Sequence, residues 1–136
     1  MFLSKDKKKI IVDFIIKRFN PKFIYLFGSY ASEEAREDSD IDIGIYIDKE
    51  ITPYELFIAA GKLSMKLKKD VEIINLKDIS TVFAAQIVST KDILYTKDEN
   101  FRVSYDIRVL KDYIKLNEER RLILDTIRED GRIYGK

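Results

Sequence analysis

The chain has 136 residues, with 25 Lys and Arg against 24 Asp and Glu and a formal net charge of +1, so no global basic field draws it to nucleic acid and no direct nucleic-acid binding is expected. It contains neither Cys nor His, which excludes disulfides, thiolate nucleophiles, Cys- or His-based zinc sites, Ser–His triads and imidazole bases. Any catalysis must run on carboxylates, lysines, tyrosines, hydroxyls and borrowed metals.

A hydrophobic fraction of 46% beside a charged fraction of 36% describes a well-solvated globular chain, and its length points to one domain with a real core. The apolar runs are too short to span a bilayer. The N-terminus, MFLSKDKKKIIVDF, lacks the apolar core and cleavage site of a signal peptide. A cytoplasmic protein without a membrane partner is expected.

Residues 5–19 place Ile10, Ile11, Phe14, Ile15 and Phe19 at helical spacing, and Asn20-Pro21 ends that helix. FIYLF at 23–27 reads as a short buried strand stopped by Gly28. Residues 29–39 are polar, a turn of helix and a loop. Residues 40–47 alternate, with Ile41, Ile43, Ile45 and Ile47 on one face and Asp40, Asp42, Gly44 and Tyr46 on the other. Thr52-Pro53 with Glu55 opens a helix that runs to about Lys68. DVEIINL at 70–76 is the third strand, and Asp78 is expected to cap the next helix. Residues 92–95 suit a short edge strand. From about Asn100 to Arg128 a long helix or helical pair carries Val103, Ile107, Leu110, Ile114, Leu124 and Ile127 on one stripe, with Gly131 as its stop.

This order predicts an α/β (α+β) two-layer sandwich: a three-stranded core sheet, helices on one face, and a C-terminal helical extension. The expected organisation is a single domain over 1–136, with a core at about 5–96 and the extension at about 98–130. The isoleucine face of 41–47 would pack on the helices, leaving the opposite face open for chemistry.

Asp40 and Asp42 project from that open face, their roots about 6–7 Å apart along the strand. Such a pair suits two divalent metals bridged by carboxylate oxygens, and magnesium, which keeps its waters, needs little more than a third carboxylate and substrate phosphates. Glu72, flanked by Val71 and Ile73, is the candidate third acid, with Asp70 as the fallback. Gly28 and Ser29 offer a phosphate turn: a residue free to adopt positive φ, backbone amides at the start of a short helix over 29–35, and a hydroxyl. Alone, either motif is commonplace, a solvated Asp-x-Asp or a capped turn. Together they point to an enzyme that handles a nucleoside triphosphate, with Glu72 placed to take a proton from an attacking hydroxyl.

The stretch GSYASEEAREDSDID at 28–42 resembles the DNA polymerase β-like nucleotidyltransferase superfamily, whose members carry Gly-Ser, ten residues, then Asp-x-Asp. With DVEIINL, an AAQIV helix and an ILY segment, the likeness covers roughly residues 8–115 and extends to the minimal nucleotidyltransferases of prokaryotes, among them MntA-type antitoxins encoded beside a HEPN-domain RNase toxin. The resemblance implies the polymerase β-like fold with a mixed sheet, two Mg²⁺ ions, and ATP or another triphosphate as donor. It also implies AMP transfer to a tyrosine of a HEPN partner in a hetero-oligomer. By motif position Asp40, Asp42 and Glu72 would be the metal ligands and catalytic acids, and Gly28 and Ser29 the nucleotide-binding turn. Ser32 and Glu33 depart from the basic residue and glycine common in relatives, and Arg36 is the candidate substitute cation. The rival readings are transfer to a small molecule such as an aminoglycoside, and a non-catalytic module that docks on the toxin.

Among other features, Lys62, Lys66, Lys68 and Lys69 read first as a solvated helix face. Tyr30 and Tyr46 have a better claim to stack on a base than Tyr25 or Tyr54. The C-terminal stripe either closes the core or docks a partner helix.

Overall fold

The computed structural model describes residues 2–32 and 34–134, with backbone only for 130–134. Helix α1 (Lys5–Phe19) starts at Ser4, whose hydroxyl accepts from the Lys7 N–H, and ends where Asn20 turns left-handed and donates to the Ile16 carbonyl. Strand β1 (Phe23–Phe27) follows, then a single 3-10 turn at Gly28–Tyr30, a loop, and β2 (Ile41–Tyr46). Helix α2 (Pro53–Leu67) opens with a complete capping box: the Glu55 N–H donates to the Thr52 hydroxyl, and the Thr52 N–H to the Glu55 carboxylate. Then come β3 (Val71–Asn75), α3 (Thr81–Thr90), β4 (Asp92–Thr96) and α4 (Glu99–Tyr134).

Two boundaries depart from the sequence expectation. Ser80, not Asp78, caps α3, its hydroxyl accepting from the Phe83 N–H. Asp78 instead closes the preceding turn, its N–H donating to the Asn75 carbonyl and its carboxylate accepting from the Asn75 amide. Helix α4 does not stop at Gly131 but continues to Tyr134; one glycine costs only about 1 kcal/mol in a helix interior.

The sheet order is β3-β2-β1-β4. β1 runs antiparallel to both β2 and β4, while β2 and β3 are parallel, so the mixed core sheet gains β4 as an edge. On one face Ile24, Leu26, Ile41, Ile43, Ile45 and Ile73 pack with α1 and α2 through Ile11, Ile15, Leu56, Ala59 and Leu63. The second face is more covered than the expected open layer. There Phe23, Tyr25, Phe27, Leu76 and Ile87 form a separate aromatic core with Tyr46, Phe101 and Tyr105, and α3 packs on α4 through Ala84, Ala85, Val88 and Val109. β1 is therefore buried on both faces, which is why it reads as an unbroken apolar run. At the end of this face around Asp42 and Glu72 the cover is incomplete, with Asp42 half-buried and Glu72 exposed.

Helix α4 is held to the body by its first half. Arg102 and Val109 are its buried residues among those described. Past that half, Ile114, Leu122, Ile123, Leu124 and Ile127 are all at least 53% exposed. The apolar stripe does not close the core.

Candidate functional site

The site is assembled by register. In the β1–β2 pair Phe27 lies opposite Asp42, and in the β2–β3 pair Asp42 lies opposite Glu72. Neighbouring strands are about 4.8 Å apart, so the Asp42 and Glu72 side chains leave the same face side by side, just beyond the aromatic core. Asp40 precedes β2, exposed, on the same side of the chain by parity. Glu72 is also exposed and does not enter the core.

The electrostatics reflect this convergence. Burial, and after it the charges of Glu72 and Asp40, together push the Asp42 carboxyl up from 3.8 to about 6. Asp70 is not among the groups acting on Asp42. Its carbonyl accepts the Ile41 N–H, and it lines a cleft of about 460 Å³ with Asp40, Glu37, Ser64, Lys68 and Lys69. An all-carboxylate donor set suits a hard, oxygen-seeking cation, and a cation would offset the mutual repulsion that raises Asp42. The side chains do not close into a tight cluster: among the described residues no three His, Cys, Asp or Glu groups stand in metal-binding geometry. Three like charges without a counter-ion repel.

Gly28 is fixed by two independent constraints. Its φ is +73°, and a Cβ there would land on Asp42 Oδ2, with Asp42 Cγ 3.2 Å away. The backbone thus lies directly against the carboxylate. The following turn is one 3-10 turn, not a helix over 29–35. Ser32 and Ala31 donate to the Gly28 carbonyl and Glu34 to the Ser29 carbonyl. Any anion held there would meet the first amides of a tight turn and the half-buried Ser29 hydroxyl rather than a helix terminus. Glu33, one of the two departures from the family pattern, lies outside the described residues.

Several expected side chains take other roles. Tyr30 is 2% exposed in the α1/α2 core, so it does not stack on a base. Tyr46 is half-buried between Phe23, Phe101 and Tyr105, with ring centroids 5.0–5.6 Å away. Tyr46 reaches the aromatic core from the end of β2, whereas the 3-10 turn directs Tyr30 into the α1/α2 core. Arg36 is an exposed loop residue. Lys69, grouped in the sequence with a solvated lysine face, instead donates to the Glu37 carbonyl at 2.6 Å and sits 5.7 Å from the Tyr30 ring. It ties the loop before Asp40 to the start of β3. Nothing in a lysine run distinguishes the one lysine that does this.

The polymerase beta nucleotidyltransferase model matches residues 8–100, over the site and both its flanking helices. The chain belongs to the polymerase beta nucleotidyltransferase family. Among characterised proteins it is 29% identical over 106 residues to the protein adenylyltransferase MntA of Shewanella oneidensis, covering 78% of this chain and 76% of that protein. Among solved structures it resembles a chain of a toxin–antitoxin complex with AMP-PNP, with a TM-score of 0.80 and 26% identity over 88% of this chain and 97% of that one. It also resembles a chain of a tri-AMPylated Shewanella oneidensis HEPN toxin in complex with its MNT antitoxin, with a TM-score of 0.77 and 25% identity over 92% and 98%. Among the described residues no helix is long and apolar enough to cross a membrane.

For this nucleotidyltransferase the Gly28 contact gives a direct test. Gly28→Ala forces an L-residue into left-handed backbone and displaces Asp42, so it should lose about 1–2 kcal/mol in urea unfolding and far more activity than that loss explains. Gly61→Ala, in the interior of α2 with nothing within 4 Å of the new methyl, should gain about 1 kcal/mol. Equal effects at the two positions would refute the close-approach role of Gly28.

Proposed function

We propose that this chain is a Mg²⁺-dependent protein adenylyltransferase that moves AMP from ATP to a tyrosine hydroxyl of a HEPN-domain toxin and acts as its antitoxin in the cytoplasm. In this reading residues 1–136 form one nucleotidyltransferase domain, with α4 as its extension. The observation that carries it is the Asp42–Glu72 register, with Asp40 beside it, in a chain whose relatives include a protein adenylyltransferase and an antitoxin bound to an AMPylated toxin.

Asp40, Asp42 and Glu72 would hold the magnesium, which supplies charge neutralisation on the phosphates and on the departing pyrophosphate. Gly28 and Ser29 receive the triphosphate, the glycine by letting its backbone come close and the serine by donating its hydroxyl. Asp42, half-buried at the strand junction and between Asp40 and Glu72, would be the central ligand of the magnesium, and its fixed position would set where the ion meets the phosphates. Glu72, exposed at the sheet edge, is reachable by a hydroxyl arriving from solvent and takes its proton as the oxygen attacks phosphorus in line. The exposed apolar distal half of α4 is ready-made for a protein partner rather than a small molecule.

The test uses labelled ATP, Mg²⁺, an aminoglycoside and a HEPN-domain protein, the product of the adjacent gene being the first to try. Label on that protein, lost in Asp40→Asn/Asp42→Asn, is the expected result. Full neutralisation by the double variant with nothing labelled would establish a docking module instead. Label on an aminoglycoside and none on the protein would establish a small-molecule enzyme.

A further inference from the structure

Strand β3 is an edge of the sheet. Its ladder with β2 uses the backbone of Glu72 and Ile74, flanked by the Asp70 carbonyl and the Leu76 N–H. In a parallel pair the intervening residues point their N–H and C=O groups the other way. Of these outward groups, the Val71 N–H is taken by the Ser64 hydroxyl at 2.9 Å and the Asn75 carbonyl by Asp78 N–H. Between them, the backbone of Ile73 faces a side on which no further strand pairs among the described residues. An open edge of this kind is a template for an added strand.

The edge is also the floor of a groove. A cavity of about 340 Å³ runs along it, walled by Pro53, Leu56, Phe57 and Ala60 of α2 on one side and by Ile74 and Ile79 on the other. Phe57 is 73% exposed, a large aromatic left in solvent beside unpaired backbone. Glu72 lines the same groove, so the groove is continuous with the acid site. Any chain lying in it passes the residue placed to receive the acceptor's proton.

We infer that this groove binds the acceptor protein: an extended segment of the acceptor adds to β3 as a fifth strand, covers Phe57, and presents its hydroxyl beside Glu72. The inference rests on the adenylyltransferase reading and specifies its acceptor subsite. Main-chain hydrogen bonds to Ile73 hold the segment, and Phe57 supplies an apolar pocket for one of its side chains. A small-molecule acceptor would need neither.

The test compares Phe57→Asp with Lys62→Asp, both at exposed positions on α2, of which Phe57 borders the groove and Lys62 lines a separate cleft against α1. With a HEPN-domain protein as acceptor, Phe57→Asp should raise the acceptor KM and Kd about tenfold or more and leave the ATP KM unchanged, while Lys62→Asp should be indistinguishable from wild type. Amide exchange of Ile73 should slow in the complex. Unchanged acceptor affinity in Phe57→Asp, or equal losses in both variants, overturns the groove. Unprotected Ile73 in an otherwise Phe57-dependent complex overturns strand addition. Failure of the adenylyltransferase reading is separately visible: the wild type then labels no acceptor, while the Kd comparison still decides whether the groove binds it.

Discussion

Asp42→Asn is expected to make the metal-free protein more stable at pH 8 while destroying its activity. In the native fold the Asp42 carboxyl is pushed up from 3.8 to about 6 by burial and by Glu72 and Asp40. A carboxyl raised in this way binds its proton more tightly folded than unfolded. Its contribution to stability is complete below about 3.8 and is lost as pH rises through about 6, so at pH 8 the wild type bears the cost of a half-buried carboxylate among like charges. A shift of this size corresponds to about 2–3 kcal/mol. The amide removes that cost, so the variant should melt several degrees higher at pH 8, with the gap closing toward pH 4. Magnesium should reverse the order, stabilising the wild type and not the variant. Transfer should fall about a thousandfold or more, the scale of losing several kcal/mol of phosphate charge stabilisation. A pH-independent gap, or a variant no more stable at pH 8, would show that Asp42 does not carry the strain of the site.

The second large effect lies away from the site. Tyr25, in the middle of β1, donates its hydroxyl to Asp106 at 2.6 Å, and Asp106 also pairs with Arg102 and Lys91, each at 2.9 Å. Arg102 further donates to the Tyr25 oxygen at 3.2 Å and pairs with Glu99. Burial, then the Asp106 hydrogen bond, holds the Tyr25 hydroxyl well above its ordinary range. The Glu99 hydrogen bond does the same for Arg102. This cluster clamps the first half of α4 to β1 and to the end of α3.

Asp106→Ala removes the carboxylate shared by Tyr25, Arg102 and Lys91, leaving Arg102 only Glu99 and the Tyr25 oxygen, and Lys91 only the Val88 carbonyl, as acceptors, in a place where the Asp106, Lys91 and Arg102 side chains are 14% exposed or less. Removing one partner of a buried pair costs about 3–5 kcal/mol, so a melting-temperature drop of about 10 °C is expected. Tyr25→Phe keeps both ion pairs and should cost only about 1 kcal/mol. A small effect from Asp106→Ala, or a larger one from Tyr25→Phe, would mean that aromatic packing, not the ionic cluster, seats α4.

The cluster illustrates why parts of the structure were not legible in the sequence. Tyr25 and Asp106 are 81 positions apart, and nothing local to either residue announces the other. Tyr30 read as a base-stacking candidate because it adjoins Gly28-Ser29, yet its ring belongs to the α1/α2 core. Lys69 was one lysine among four until its contact with the Glu37 carbonyl appeared. Local signals were more dependable. The Ser4, Asn20 and Thr52 caps act within three or four residues, and α1, β1, β2 and α2 lie where their periodicity and caps place them.

By itself the sequence determined the alternating faces of β2, the Gly-Ser turn, the Asp-x-Asp pair and the elimination of imidazole and thiol chemistry. These depend on residue identity and on spacings within one strand or one turn, where backbone geometry leaves little choice. Only the tertiary structure decided that Glu72 rather than Asp70 stands opposite Asp42, that α3 and α4 cover most of the second face, and that the stripe of α4 stays exposed. Strand register, helix docking and sheet edges come from contacts between distant segments. A slip of one residue in the β2–β3 pairing would have turned Glu72 to the other face.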